Sequence, residues 1–75
     1  MSIEQHIDPA IQRSRYEKRS NVWRMEALRL RGQIQTYIER NVDPDGEQVK
    51  VLAKWVEDAE RLAEHYQRKA EAIDG

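Results

Sequence analysis

Three stretches of this sequence hold residues whose types and spacing could do chemistry. The first is Asn41-Val42-Asp43-Pro44-Asp45-Gly46, which sets oxygen donors at alternate positions ahead of a glycine, as the first half of a calcium loop does. The position that must close such a loop with a bidentate carboxylate is Leu52, so the pattern fails there and the aspartates are expected to cap a helix instead. The second is the carboxylate-rich C-terminal third, with Glu57, Glu60, Glu64, His65 and Glu71. It contains no His-x-x-x-His or Glu-x-x-His pair to hold a metal, and His6 lies far from His65 in the chain. No apolar pocket is evident that would raise a carboxyl pKa for acid-base work.

The third stretch is Arg13-Ser14-Arg15-Tyr16-Glu17-Lys18-Arg19, which gathers four positive charges around one aromatic ring. Phosphate binding with base stacking needs cations interleaved with aromatics in this way. Trp23 follows one helical turn on, and residues 9–41 together hold eight Arg or Lys against three Glu. If nucleic acid is the partner, Arg15, Lys18, Arg19 and Arg29 are the contacts expected. Three features oppose that reading. Tyr16 and Trp23 fall on the apolar stripe described below, the arginines spread around the helix, and the whole chain is slightly acidic, with net charge -1 and pI about 6.1. The remaining catalytic options are thin. There is no cysteine, Ser2, Ser14, Ser20 and Thr36 have no histidine at plausible range, and no glycine-rich phosphate loop occurs. The expectation is a protein that is not an enzyme and takes no cofactor, metal or small-molecule substrate.

The elements that must position these residues are legible from punctuation. Asp8-Pro9 and Asp43-Pro44 each follow an aliphatic residue and each offer a capping carboxylate before a proline at the first helical position. They predict an N-terminal arm over residues 1–8, helix 1 over about 9–41, a turn at 42–46 and helix 2 over about 45–73, all in one domain spanning 1–75. Charged residues make up 36% of the chain and glycine and proline are scarce, which favours solvent-facing helices. The apolar spacing argues against the alternative of disorder. Helix 2 repeats an alternating 3-4 spacing at Val49, Leu52, Val56, Ala59, Ala63, Tyr66, Ala70 and Ile73. Helix 1 answers with Tyr16, Ser20, Trp23, Ala27, Leu30, Ile34, Tyr37 and Asn41.

Folding the two stripes together gives an all-α, coiled-coil-like antiparallel hairpin. The expected neighbours are Tyr37 with Leu52, Ile34 with Val56 and Trp55, Leu30 with Ala59, Trp23 with Tyr66, and Tyr16 with Ile73. On one flank Arg24 and Arg31 should face Glu57, Glu60, Glu64 and Glu71, with Arg31 beside Glu60. The charges of Arg13–Arg19 should lie near the C-terminal end of helix 2, whose dipole and acidic residues favour cations.

The apolar surface exceeds what one seam covers. Val51, Trp55 and Leu62 extend it to one side of helix 2, Val22, Met25 and Leu28 point away from the seam on helix 1, and Ile3, Ile7 and Ile11 overshoot the end of helix 2. These nine residues are the expected association surface. The expected occupants are a second copy, closing a four-helix bundle as a homodimer, and an unidentified partner protein. In shape and length such a hairpin resembles the Rop-type plasmid copy-number regulators, short helical hairpins that pair into a four-helix bundle and grip RNA with one face. The resemblance implies an RNA- or DNA-binding regulator and is the alternative to a protein-binding adaptor, chaperone-like protein or inhibitor. No stretch approaches the length of a membrane span, the start of the chain lacks the basic-then-apolar pattern of a leader, and the absence of cysteine suits a reducing compartment, so a soluble cytoplasmic protein is expected.

Overall fold

The computed structural model describes residues 8–73, which form two α-helices, α1 from Pro9 to Arg40 and α2 from Glu47 to Glu71, packed against each other as a hairpin. Among the described residues there is no strand. The expected Ile3 and Ile7 contacts lie outside the described residues.

Helix α1 begins as its sequence dictates. The Asp8 carboxylate accepts the Ala10 backbone N–H at 2.9 Å, and Pro9, which has no N–H to satisfy, takes the first helical position. The helix ends at Asn41, which adopts a left-handed conformation (φ 50°, ψ 43°). The Asn41 N–H then reaches the Ile38 carbonyl and the Val42 N–H the Tyr37 carbonyl, the paired bonding of a Schellman cap. Asparagine is the non-glycine residue that best tolerates this conformation.

The start of α2 differs from expectation by two residues. Asp43 and Pro44 do not open the helix directly. The chain makes a turn closed by the Gly46 N–H to the Asp43 carbonyl at 3.0 Å, Gly46 takes φ 73°, and α2 starts at Glu47. The reason is local: Gly46 enters the left-handed region at low cost and redirects the chain, so the tighter turn wins over a proline-led helix start. Asp43 still caps α2, since its carboxylate folds forward to accept the Val49 N–H at 2.9 Å. That bond fixes the Asp43 side chain at the turn.

The seam is buried at Ser20, Ala27 and Leu30 on α1 and at Leu52, Val56, Ala59, Ala63 and Ala70 on α2. Leu30, Leu52, Val56, Ala27 and Ala59 form one cluster, onto which Trp23, Ile34 and Tyr37 pack half-buried. The residues expected to meet towards the turn, Tyr37 with Leu52, Ile34 with Val56 and Leu30 with Ala59, all lie in this cluster or pack onto it, whereas Trp55, also expected beside Ile34, is 53% exposed. At the open end the register departs from the one expected. Tyr16 stacks on Tyr66, the residue expected to face Trp23, with centroids 6.2 Å apart and planes 20° from parallel. A seam of alanines slides at little cost, so polar ties decide the register there. The Ser20 hydroxyl donates to the Ala63 carbonyl at 2.8 Å, and the Arg13 guanidinium donates to the Ile73 carbonyl at 2.5 Å. Arg13 thus satisfies a carbonyl just past the α2 C-terminus, where cations are favoured.

Candidate interaction site

A lone hairpin is a plate one helix thick, 60 × 22 × 14 Å overall, so each helix keeps two faces free of its neighbour. Three surfaces follow from where the side chains lie.

The first is the flank beyond the seam on the α2 side. Trp55 is 53% exposed and Val51 43% exposed, while Leu62 is half-buried. Trp55, Leu62, Trp23 and Leu30 line a groove of about 290 Å³ whose polar edges are Glu26 and Asp58. A shallower depression continues it past Asp58, Arg61, Leu62 and His65. The His65 ring stands edge-on to Tyr66 at 5.2 Å. The groove exists because the α1 residues on that flank, Glu26 and Gln33, are polar and do not reach across to cover the α2 side chains.

The second surface is the outer face of α1, where Val22 and Met25 are each 64% exposed and Leu28 is 54% exposed. Gly32 lies one to two turns on, and nothing lies within 4 Å of where its Cβ would be. Helical spacing places Lys18 and Arg29 on the same stripe as Val22 and Met25, so the apolar patch has a basic rim. Ile11, half exposed, extends the same side towards the N-terminus.

The third is the opposite flank, which is charged. Arg31 donates to Glu60 at 2.5 Å, as the spacing predicts, and Arg24 shares a groove with Glu57, Glu60, Arg61 and Glu64. Both members of the Arg31–Glu60 pair are about half exposed, which limits its energy to about 1 kcal/mol.

The four basic residues expected to grip nucleic acid do not form one free patch. Arg29 is engaged by Glu26, through Nη2 and through Nε to Oε2 at 3.1 Å. The hydrogen bonds from Arg29 hold the Glu26 carboxyl below the usual carboxylate range, and those same bonds raise the guanidinium. Arg19 lies 5.7 Å over the Tyr66 ring, and Lys69 lies 5.8 Å over the Tyr16 ring, so the tyrosine stack is sandwiched by two cations. Among the described residues, no ion pair or hydrogen bond engages Arg15 or Lys18.

Three features were not anticipated from sequence. Ile38 and Val42 are 63% and 61% exposed beside the turn, and neither sits on the 3-4 stripe that marked the seam. The Arg13 tie to Ile73 depends on a register that the alanine seam leaves open. Ser20 was legible as a seam position by spacing, but the partner of its hydroxyl was not.

Among the described residues, no group of three or more His, Cys, Asp or Glu is placed to hold a metal ion, and no helix is long and apolar enough to cross a membrane. Comparison of the chain with protein-family models, with curated proteins and with solved structures finds no match.

Proposed function

We propose that this chain is a small, non-catalytic protein-binding module that works as a homodimer and regulates a partner protein by docking on it through apolar helix faces. The observation that carries the reading is where the apolar bulk lies. The buried hydrophobic core consists of Ala27, Ala59, Ala63, Ala70, Leu30, Leu52 and Val56, whereas Trp55, Met25, Leu28 and Val22 stand more than half exposed. Four of those seven core residues are alanines, which contribute little burial, while each large side chain left more than half exposed forgoes roughly half of the about 1.5–3 kcal/mol that full burial supplies. A single core of this size usually supplies only about 3–5 kcal/mol. Covering the wet residues with other protein is the arrangement that uses them.

The outer face of α1 suits an amphipathic helix laid along Val22 and Met25, with Gly32 allowing close approach and acidic residues meeting Lys18. Such docking acts sterically, by occupying a surface or holding a segment of the partner, as an adaptor, a chaperone-like protein or an inhibitor does. The alternative, RNA or DNA held by the basic face, draws on Arg15 and Lys18. It is weakened by the engagement of Arg29 with Glu26 and of Arg19 with Tyr66.

Affinity capture from the native cell after nuclease treatment, run in parallel with the wild type and with Met25→Glu, tests the reading. One protein retained by the wild type and lost from Met25→Glu is the expected result. Release of all bound material by nuclease, together with a salt-sensitive mobility shift abolished by Arg15→Ala and Lys18→Ala, overturns it in favour of nucleic acid.

A further inference from the structure

We infer that a second copy of this chain covers the Val51–Trp55–Leu62 flank of α2 through an antiparallel α2–α2 contact whose two-fold axis passes beside Leu62, leaving the outer face of α1 for the hetero-partner. This deepens the homodimer reading above by assigning its surface.

The first support is angular. Val51, Trp55, Asp58, Leu62, His65 and Lys69 form a second stripe of alternating 3-4 spacing on α2. At about 100° per residue, this stripe is centred roughly a quarter turn from the seam stripe of Leu52, Val56, Ala59 and Ala63. A quarter turn is the angle between the two adjacent neighbours of a helix in a square four-helix bundle. The outer stripe of α1, by contrast, lies about half a turn from its seam, a direction that points out of such a bundle.

The second support is chemical self-complementarity. With Leu62 opposite the partner's Leu62, Asp58 comes opposite the partner's His65. Trp55 then meets the partner's Lys69, whose alkyl stem can cover the indole while its ammonium stays over Tyr16. Leucine meets leucine on the axis, and the carboxylate meets an imidazole N–H, twice over by symmetry. Other registers lose this. A shift of half a heptad sets Leu62 on the partner's Asp58 or the partner's His65. A full heptad towards the helix N-terminus sets two Asp58 carboxylates side by side, and one the other way carries Trp55 past the end of the partner helix. The polar residues in the stripe therefore select one register, as buried polar positions do in coiled coils.

The third support is length. The hydrogen bond from Ser20 to Ala63 places Leu62 about a third of the way along α1, which runs from Pro9 to Arg40, and close to the middle of α2. A two-fold axis at that height overlaps the two hairpins over most of their length.

The test combines cross-linking and charge exchange on the full chain. Under mild oxidation, Leu62→Cys should form a disulfide-linked dimer, whereas Met25→Cys should not. Asp58→Lys and His65→Glu should each weaken the dimer by roughly tenfold in sedimentation or light scattering, because each places like or unmatched groups at both symmetric contacts. Mixed in equal amounts, the two variants should recover wild-type affinity as a heterodimer, since the lysine introduced in one chain then meets the glutamate introduced in the other. Asp58 and His65 are both exposed in the hairpin, His65→Glu giving up only the edge contact of its ring with Tyr66, and unchanged helical circular dichroism checks that the fold is kept. A wild-type monomer at every concentration overturns the inference and the homodimer with it. A wild-type dimer that cross-links through Met25→Cys but not Leu62→Cys, or that the mixture fails to restore, overturns this surface while leaving homodimerisation standing. Capture of the hetero-partner, which depends on Met25, is read separately.

Discussion

Replacing Ser20 tests the packing of the hairpin at its tightest point. Ser20 is fully buried, and its hydroxyl sits 2.8 Å from the Ala63 carbonyl. A side chain that reaches the backbone of the facing helix leaves no room for a larger one, and the neighbouring seam positions Ala59, Ala63 and Ala70 are small for the same reason. Ser20→Ala removes one hydrogen bond. The Ala63 carbonyl, inside α2, remains an acceptor within its own helix, so no buried group is orphaned and the loss is about 0.5–1.5 kcal/mol. Ser20→Leu removes the same bond and forces a branched four-carbon group between the helices, adding about 1–3 kcal/mol of overpacking. The leucine variant should therefore be the less stable of the two, by about 1 kcal/mol or more, which for a chain of this size is a fall of about 4–8 °C in Tm per kcal/mol. Urea and thermal unfolding followed by far-ultraviolet circular dichroism, at one fixed protein concentration, measures the difference. Conventional hydrophobicity reasoning gives the opposite order, because leucine is more apolar than alanine and sits at a seam position. A leucine variant as stable as the alanine variant, or more so, would refute the close approach of α1 and α2 at this level and with it the register deduced for the open end.

Four other perturbations have signs fixed by the structure. Gly46→Ala meets open space but holds φ at 73°, so it should destabilise by about 1 kcal/mol through backbone strain alone, and Asp43→Ala should cost about as much by freeing the Val49 N–H; urea midpoints check both. Arg31→Glu, facing Glu60, should lower stability by no more than about 1 kcal/mol, less at high salt, and Glu60→Arg in the same chain should restore it. The Glu26 carboxyl is held below its ordinary value of 4.5, so the pair with Arg29 stabilises the fold above that pH and its contribution fades as pH falls through the folded value; Glu26→Gln should flatten this acid limb slightly in urea titrations across the range, and salt should mask the difference.

Much of the fold was legible because helical burial follows spacing. Leu52, Val56, Ala59, Ala63 and Ala70 are buried where the 3-4 pattern puts them, and so are Ser20, Ala27 and Leu30 on α1. Asp8 and Pro9 mark the start of α1, and Asn41 marks its end. The Arg31–Glu60 pair was legible too, since charges at that flank follow from the register near the turn, where the connection is short and leaves the helices little freedom. What failed, failed for reasons of the same kind. The partner of Tyr16 depends on how far an alanine seam slides over more than twenty residues from the turn, and spacing alone carries no information on sliding. The start of α2 depended on a competition between Pro44 and Gly46, both breakers, which local preferences leave nearly balanced. For the association surface, Val22, Met25, Leu28, Val51 and Trp55 were legible as residues left outside the seam, and the structure places them in the open. Ile38 and Val42 escaped notice because they lie off the seam stripe and polar residues separate them from Leu28.

The distribution of small and large side chains bears on why one hairpin can serve two partners. Large residues in the Ala59–Ala63–Ala70 part of the seam would have held the helices apart and buried more apolar area within one chain. Alanine and serine there bring the helix backbones together and displace the bulky residues, Trp55 and Leu62 on α2 and Met25 on α1, to positions a quarter turn and a half turn from the seam. Those two directions do not compete. A helix neighbour at a quarter turn closes a bundle without touching the face at a half turn, so a dimer formed through α2 leaves Val22 and Met25 as exposed as they are in the single hairpin. On the homodimer reading, self-association therefore raises stability without occupying the docking face, and it presents two copies of that face on one assembly. Two linked faces bind a paired or repeated partner more tightly than either alone when the spacing fits. Weakening the α2 contact should then lower capture of such a partner even though no residue touching it has changed, whereas a partner that engages one face at a time would be captured as before.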